Sequence, residues 1–116
     1  MTPEAFEAAA LALPATSRVV QWGGASVYKV GDRIFAIAGL GGAMSLKVTD
    51  IAYAVLTETG AARPAPYLAR AKWVAFDDLA GLEDGEVSDW LVTAHALVSA
   101  RMTARQRRDL GLKPGL

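Results

Sequence analysis

The fold is decided by one stretch, Ala25-Ser26-Val27-Tyr28-Lys29-Val30-Gly31-Asp32-Arg33-Ile34-Phe35-Ala36-Ile37-Ala38. Two runs rich in β-forming residues flank Gly31-Asp32, and glycine followed by an acid fits the centre of a tight type II′ hairpin. The pattern does not decide which face of this hairpin is buried. The predicted register pairs Val30 with Arg33, Tyr28 with Phe35 and Ser26 with Ile37 on one face, and Lys29 with Ile34 and Val27 with Ala36 on the other.

Further strands and helices are predicted on both sides of this hairpin. The strands are Val19–Trp22, Met44–Val48 and Trp73–Phe76. Helical spacing predicts helices from Thr2 to Pro14, from Thr49 or Asp50 to about Thr59, and from a cap at Asp84 to about Met102. The second helix carries an apolar stripe of Ile51, Ala52, Val55 and Leu56. Contiguous antiparallel strands with helices at the ends predict an α+β fold with helices packed on one face of the sheet.

Length and composition exclude several classes of protein. The chain has 116 residues, 53% of them hydrophobic, and no cysteine. This excludes a disulfide scaffold, a thiolate zinc site and a cysteine nucleophile. We expect one domain over residues 1–110 and a flexible tail over 111–116. The acidic start and the short apolar stretch that ends at Pro14 indicate neither a signal peptide nor a membrane span, so a cytoplasmic monomer is expected.

The formal charge is zero, with 12 basic and 12 acidic residues, but it is unevenly distributed. Residues 63–76 carry +3, residues 77–98 carry −6 and residues 99–116 carry +4. Overall neutrality argues against a protein that coats nucleic acid, yet it leaves room for a local basic face.

No catalytic, cofactor or metal site is predicted. The Gly39–Gly42 loop lacks the G-x-G-x-x-G pattern and precedes a strand. His95 has no positioned partner at a useful spacing. The acidic residues could offer oxygen ligands to a hard cation, but they do not match the EF-hand spacing, and several suit the start of a helix, where carboxylates oppose the positive end of the dipole. They are Asp77, Asp78, Glu83, Asp84, Glu86 and Asp89.

The chain resembles the MmcQ/YjbR family, whose fold is similar to the frataxin-like (CyaY-like) fold. The segments that carry the resemblance are Leu13-Pro14, Trp22-Gly23, the hairpin Tyr28–Ala36, Ser45-Leu46-Lys47, Pro66-Tyr67, Lys72-Trp73-Val74 and Leu97-Val98. This chain has Ala94-His95 where the family often has a Ser-Tyr pair, so no role is carried over for that pair.

The resemblance implies helices across one face of a curved antiparallel sheet and a proposed double-wing arrangement that binds DNA. The wings would be the Val30–Arg33 turn and the Gly39–Ala43 loop. The frataxin-like fold also suggests iron binding by an acidic helix. The first helix of this chain has only Glu4 and Glu7 as acidic residues, which weakens that interpretation. The candidate nucleic-acid-binding residues are Lys29, Arg33, Lys47, Arg70, Lys72 and Trp73.

The leading hypothesis is a small, non-enzymatic binding protein that contacts DNA weakly. Lysine and arginine side chains would hold phosphates while Trp73 flanks them. One alternative is an adaptor that binds a protein or small ligand on the open sheet face, where the hairpin would present Tyr28 and Phe35. Another is an enzyme, which a deep pocket with converging ionisable groups would indicate.

Overall fold

An antiparallel sheet of six strands organises the molecule. The computed structural model describes residues 1–21, 23–66 and 68–112, so the predictions for Trp22, Tyr67 and residues 113–116 lie outside it. The strand order is β1-β2-β3-β4-β6-β5, which places the predicted hairpin inside the sheet. The strands are β1 Thr16–Gln21, β2 Ala25–Val30, β3 Arg33–Ala38, β4 Met44–Lys47, β5 Arg63–Pro64 and β6 Trp73–Phe76.

The described part of the chain also contains four α-helices: α1 Pro3–Leu11, α2 Asp50–Glu58, α3 Asp84–Ser99 and α4 Ala104–Asp109. The hydroxyls of Thr2, Thr49 and Thr103 cap α1, α2 and α4 by accepting a hydrogen bond from a first-turn N–H. α3 follows Glu83, whose side chain makes no cap bond, so Asp84 is the first helical residue and not the predicted cap. None of these helices is both long and apolar enough to cross a membrane.

The main core lies between the sheet and the helices packed on one of its faces. Phe6 of α1 meets Tyr28 edge-on, and Phe35 meets His95 of α3 in the same way, each pair with ring centroids 5.6 Å apart. The rings of Tyr28 and Phe35 are therefore both buried beneath the helices. The face of the hairpin that carries them is the buried one, which the sequence pattern did not determine. The α+β architecture agrees with the prediction. Burial of apolar side chains stabilises the packing of the helices against the sheet.

A second, smaller cluster lies on the opposite face of the sheet. Successive side chains of a strand point to opposite faces, so Trp73 and Ala75 face away from the core that holds Val74 and Phe76. Ala65 completes this cluster, and Ile34, Ile37, Leu68 and Ala71 pack against it. Ala65, Leu68 and Ala71 thus lie over the face of the sheet opposite to the main core.

A β-bulge changes the predicted register of the hairpin. Val30 pairs with Arg33 and Lys29 with Ile34 as predicted, but Tyr28 pairs with Ala36 because Phe35 is an extra residue in β3. The predicted pairing is therefore wrong beyond Ile34. The bulge lets two adjacent residues, Phe35 and Ala36, both enter the core under the helices.

The second helix turns a different stripe toward the core from the one predicted. Ala52, Tyr53 and Leu56 pack against the core, whereas Ile51 is 79% exposed and Val55 is 53% exposed. The prediction was wrong for Ile51 and Val55 because the ring of Tyr53 packs against the core in their place. A tyrosine ring buries a large area, and it shifts the buried stripe by part of a turn.

The chain does not run to Met102 as one helix. α3 ends at Ser99, and α4 begins after Thr103, which forms a reciprocal capping box with Gln106. The Arg107 Nη1 atom donates hydrogen bonds to carbonyl oxygens at the end of α3 and beyond it, namely Ser99 at 3.5 Å, Ala100 at 3.4 Å and Met102 at 2.6 Å. Leu112 packs against the core, so the predicted tail is anchored at its start.

Candidate functional site

Several of the predicted cationic residues lie at one end of the sheet. β3 begins at Arg33, and the antiparallel β4 ends at Lys47. Lys47 pairs with Trp73 at the start of β6. Arg70 and Lys72 immediately precede Trp73, so they lie at the same end of the sheet. We call this region the cationic end.

Lys47 links the sheet to the segment that precedes β6. Its Nζ atom donates a hydrogen bond to the carbonyl oxygen of Ala71. Burial lowers the pKa of Lys47 below its ordinary value, the positive charge of Arg101 lowers it further, and Asp50 opposes the shift. Arg101 follows the end of α3, a helix that packs against β4.

Arg70 and Lys72 lie in and just after a single 3₁₀ turn, Ala69–Ala71. Arg70 is exposed. Lys72 ends the turn in the left-handed conformation, with φ 61° and ψ 47°, and its backbone N–H donates to the carbonyl of Ala69. Its Nζ atom lies 4.9 Å from the centre of the Tyr53 ring, a cation–π distance.

Lys29 and Arg33 lie on opposite faces of the hairpin. Lys29 alternates with the core residues Tyr28 and Val30 and so faces away from the helices. Arg33 is paired with Val30 and therefore shares the helix face at the end of the sheet. Leu110, which follows α4, covers the turn between them. A Cβ atom placed on Gly31 would lie only 2.8 Å from Leu110 Cδ1. α4, with Arg105, Arg107 and Arg108, thus adjoins the cationic end.

Trp73 does not have the exposed ring that was predicted to flank a nucleic acid. It is 5% exposed and packs with Ala65 and Ala75 in the second cluster. A base cannot stack on a ring that is covered by its own chain. Sequence alternation placed Trp73 on the correct face, but it could not show that Ala65, Leu68 and Ala71 pack on that face.

The two loops proposed as wings lie at opposite ends of β3. Arg33 begins the strand at the first turn, and Ala38 ends it at the Gly39–Ala43 loop, about 17 Å away at roughly 3.3 Å per residue. A Cβ atom on Gly42 would lie 3.6 Å from Asp78 Oδ1. The second loop therefore adjoins acidic residues and not the cationic end.

The acidic residues gather at the end of the molecule where that loop lies. Asp84 and Glu86 occupy the first turn of α3, as the dipole interpretation predicts. The Met1 amino group lies 3.5 Å from Asp84 and donates hydrogen bonds to the carbonyls of Leu79 and Leu82. Within residues 1–21, 23–66 and 68–112, no group of three or more potential ligands is arranged to hold a metal ion.

His95 is a buried, hydrogen-bonded residue of the core. Its Nε2 atom lies 2.8 Å from the carbonyl oxygen of Pro14. Because a carbonyl oxygen only accepts hydrogen bonds, Nε2 carries a proton and donates it to this contact. The histidine thus ties α3 to the segment after α1, which the sequence pattern could not reveal.

Comparison with known proteins gives the evolutionary context of this fold. The chain matches the YjbR family over residues 11–97, from the end of α1 to most of α3. The chain belongs to the YjbR family. The YjbR match covers the hairpin and the candidate residues Lys29, Arg33, Lys47, Arg70 and Lys72, but not Arg101 or α4.

A solved structure extends the YjbR likeness to nearly the whole chain. A Deinococcus radiodurans protein with a DUF419 domain is 23% identical in sequence, and the alignment has a TM-score of 0.85. It covers 99% of this chain and 91% of the other, so α4 belongs to the shared fold. No curated protein matches the chain significantly.

Proposed function

We propose that this YjbR protein binds the phosphate backbone of duplex nucleic acid through its cationic end. The observation that carries the proposal is the gathering of separate sequence segments into one cationic region. Lys47 is bonded to the turn that carries Arg70, α3 packs against β4 and is followed by Arg101, and α4 adjoins the hairpin. The basic residues of this region are Lys29, Arg33, Lys47, Arg70, Lys72, Arg101, Arg105, Arg107 and Arg108.

The contacts of these residues assign them different roles in the proposed interface. Arg70, Arg101 and Arg108 are exposed and are available to phosphate oxygens, whereas Arg105 is exposed but has its Nε atom 4.0 Å from Asp109 Oδ2. Lys47 and Arg107 already bond to backbone carbonyls, so they mainly hold the region together. Trp73 is left out of the interface because its ring is buried.

The charge at the other end limits the strength of binding. Asp77, Asp78, Glu83, Asp84 and Glu86 carry the same sign as the phosphates. A duplex therefore approaches only the cationic end, and the small number of contacts gives a weak interaction without base readout. We expect little preference for sequence.

The proposal is tested by measuring affinity for a fluorescent duplex as the salt concentration is varied. Log affinity should fall linearly with log salt, with a slope of about −0.9 for each neutralised phosphate. Arg70→Gln and Arg101→Gln should each weaken binding and make the slope less steep by about 0.9, the contribution of one phosphate contact. Lys72→Gly should weaken binding while keeping the fold, because glycine accepts the left-handed conformation of that position.

Arg63→Gln is the matched control for these variants. Arg63 is exposed and pairs with Asp77, Oδ1 lying 2.7 Å from its Nε atom, at the other end of the sheet. Its replacement should leave affinity and slope unchanged. Undetectable binding at low salt, or equal effects of Arg63→Gln and Arg101→Gln, contradicts the proposed interface.

A further inference from the structure

A cavity of about 350 Å³ lies at the end of β3 remote from the cationic end. The start of α1, the β1–β2 hairpin and the Gly39–Gly42 loop surround it. One part of its lining is polar and consists of Glu4, Glu7, Arg18, Ser26 and Tyr28. The remainder has hardly any side-chain bulk, because Gly24, Ala38, Gly39, Gly41 and Gly42 contribute most of it.

The charged groups of this lining leave hydrogen-bonding capacity open. The Arg18 Nε atom lies 2.9 Å from Ser26 Oγ and 3.0 Å from Glu7 Oε1. In the part of the chain that the structure describes, the terminal nitrogens of Arg18 make no hydrogen bond. The side chains of Arg18 and Glu7 are 43% and 39% exposed, so solvent reaches both partners. A planar guanidinium with free terminal nitrogens matches a carboxylate through two parallel hydrogen bonds.

Tyr28 adds a hydroxyl that stays protonated near neutral pH. Burial raises its pKa, and the nearby carboxylate of Glu7 raises it further. The ring is fixed against Phe6 in the core, and Tyr28 lines the cavity while remaining only 2% exposed. Tyr28 therefore contributes a fixed, neutral wall to the cavity and favours neither sign of charge on a ligand.

The charge pattern narrows the class of ligand. An anion alone would meet Glu4 and Glu7, and a cation alone would leave the outer nitrogens of Arg18 unused. A molecule with a carboxylate and an ammonium on neighbouring atoms satisfies both, because Arg18 and Glu7 are themselves 3.0 Å apart. The volume lies at the small end of the range for ligand sites, which is about 300–1,000 Å³.

We propose that this cavity binds a small zwitterion of the free amino-acid class, with its carboxylate on the terminal nitrogens of Arg18 and its ammonium on Glu7. The glycines of the Gly39–Gly42 loop leave room for the ligand beside the backbone. This site is separate from the proposed nucleic-acid interface, and neither proposal depends on the other.

The test is a nuclear magnetic resonance titration of the whole protein with L-alanine and L-serine as probes, at neutral pH. We expect saturable shifts at the backbone amides of Gly39, Gly41 and Gly42. Acetate and methylammonium each carry only one of the two charges and should bind about tenfold more weakly or worse. Absence of saturable shifts up to about 10 mM of either amino acid overturns the proposal.

Variants separate the proposed contacts from effects on folding. Arg18→Gln and Glu7→Gln should each weaken L-alanine binding by about tenfold, and Arg18→Lys should weaken it by less because the charge remains. Arg63→Gln removes another exposed arginine–carboxylate pair, on the strand at the opposite edge of the sheet, and should leave affinity unchanged. Equal affinity in Arg18→Gln and the parent protein overturns the site, provided that both show the same dispersed amide spectrum.

Discussion

Tyr28 links the core to the alkaline stability of the protein. Its pKa is raised above the ordinary value of 10.0 by burial and by Glu7, so the folded state holds the phenolic proton more tightly than the unfolded state. The resulting stability is fully present below about pH 10 and is lost as the pH rises through the folded-state pKa. Lys47 has a lowered pKa, so its contribution to stability increases as the pH rises. This contribution is the same in the parent protein and in a variant that replaces only Tyr28.

We therefore expect Tyr28→Phe to flatten the loss of stability at high pH. The melting temperatures of the two proteins should be compared between about pH 8 and pH 11, where tyrosine and lysine titrate. The parent should fall more steeply than the variant. A difference between the two proteins that stays constant across this range contradicts the role assigned to the phenolic proton.

Gly31 is constrained both by its backbone and by its neighbour. Its φ is +60°, and a Cβ atom there would lie 2.8 Å from Leu110 Cδ1. Gly31→Ala should lower the free energy of unfolding by about 1–2 kcal/mol, and denaturant unfolding measures this loss. Gly60→Ala is the control, because Gly60 has φ +78° and a Cβ atom there would have no neighbour within 4 Å. Equal losses in the two variants would show that Leu110 yields without cost.

At the scale of elements, α4 is fastened to α3 by one arginine. Arg107 is bonded to the carbonyls of Ser99, Ala100 and Met102, and cations favour this negative end of a helix. Arg107→Met keeps the aliphatic stem, and we expect it to lower the free energy of unfolding by about 1–2 kcal/mol. Arg108→Met removes an exposed charge from the same helix and should change stability by no more than about 0.5 kcal/mol. Chemical unfolding measures the free energy of unfolding of both variants. Equal losses for Arg107→Met and Arg108→Met would contradict the role assigned to Arg107.

Elements with a strong local signal were predicted from the sequence. The cap at Thr2, the strands Ala25–Val30 and Arg33–Ala38 and the buried face of α3 all follow from periodicity and turn chemistry. The pattern left Thr49 and Asp50 as alternative caps for α2, and the structure has Thr49. Gly31 has the positive φ that the predicted turn requires. The capping box of Thr103 and Gln106 is also a helix-start signal that the sequence carries.

Features that depend on packing between distant segments could not be predicted. The bulge at Phe35 arises because two neighbouring residues fit the core beneath the helices, which a strict alternation of faces does not anticipate. The burial of Trp73 depends on a segment that folds back over it. Likewise, the candidate cations were named from their strands, whereas the contribution of Arg101 depends on where α3 ends relative to Lys47.

At the scale of the whole molecule, the blocks of charge along the sequence become two charged ends. α3 begins among acidic residues and is followed by Arg101, and its 16 residues span about 24 Å. This separation exceeds the Debye length of about 10 Å at 0.1 M salt, so the two ends act almost independently. A polyanion therefore meets the charge of the nearer end and not the molecular sum of zero.

The same separation decides how the protein behaves on a charged resin. A protein of zero formal charge is ordinarily expected to flow through ion-exchange columns near neutral pH, and the net charge here is zero. We expect this protein to be retained at low salt by both a cation exchanger and an anion exchanger, with opposite ends against the two matrices. Arg101→Gln should elute earlier from the cation exchanger alone. Flow through both columns would mean that the two ends compensate each other at the surface of the resin, and purification could then not exploit them.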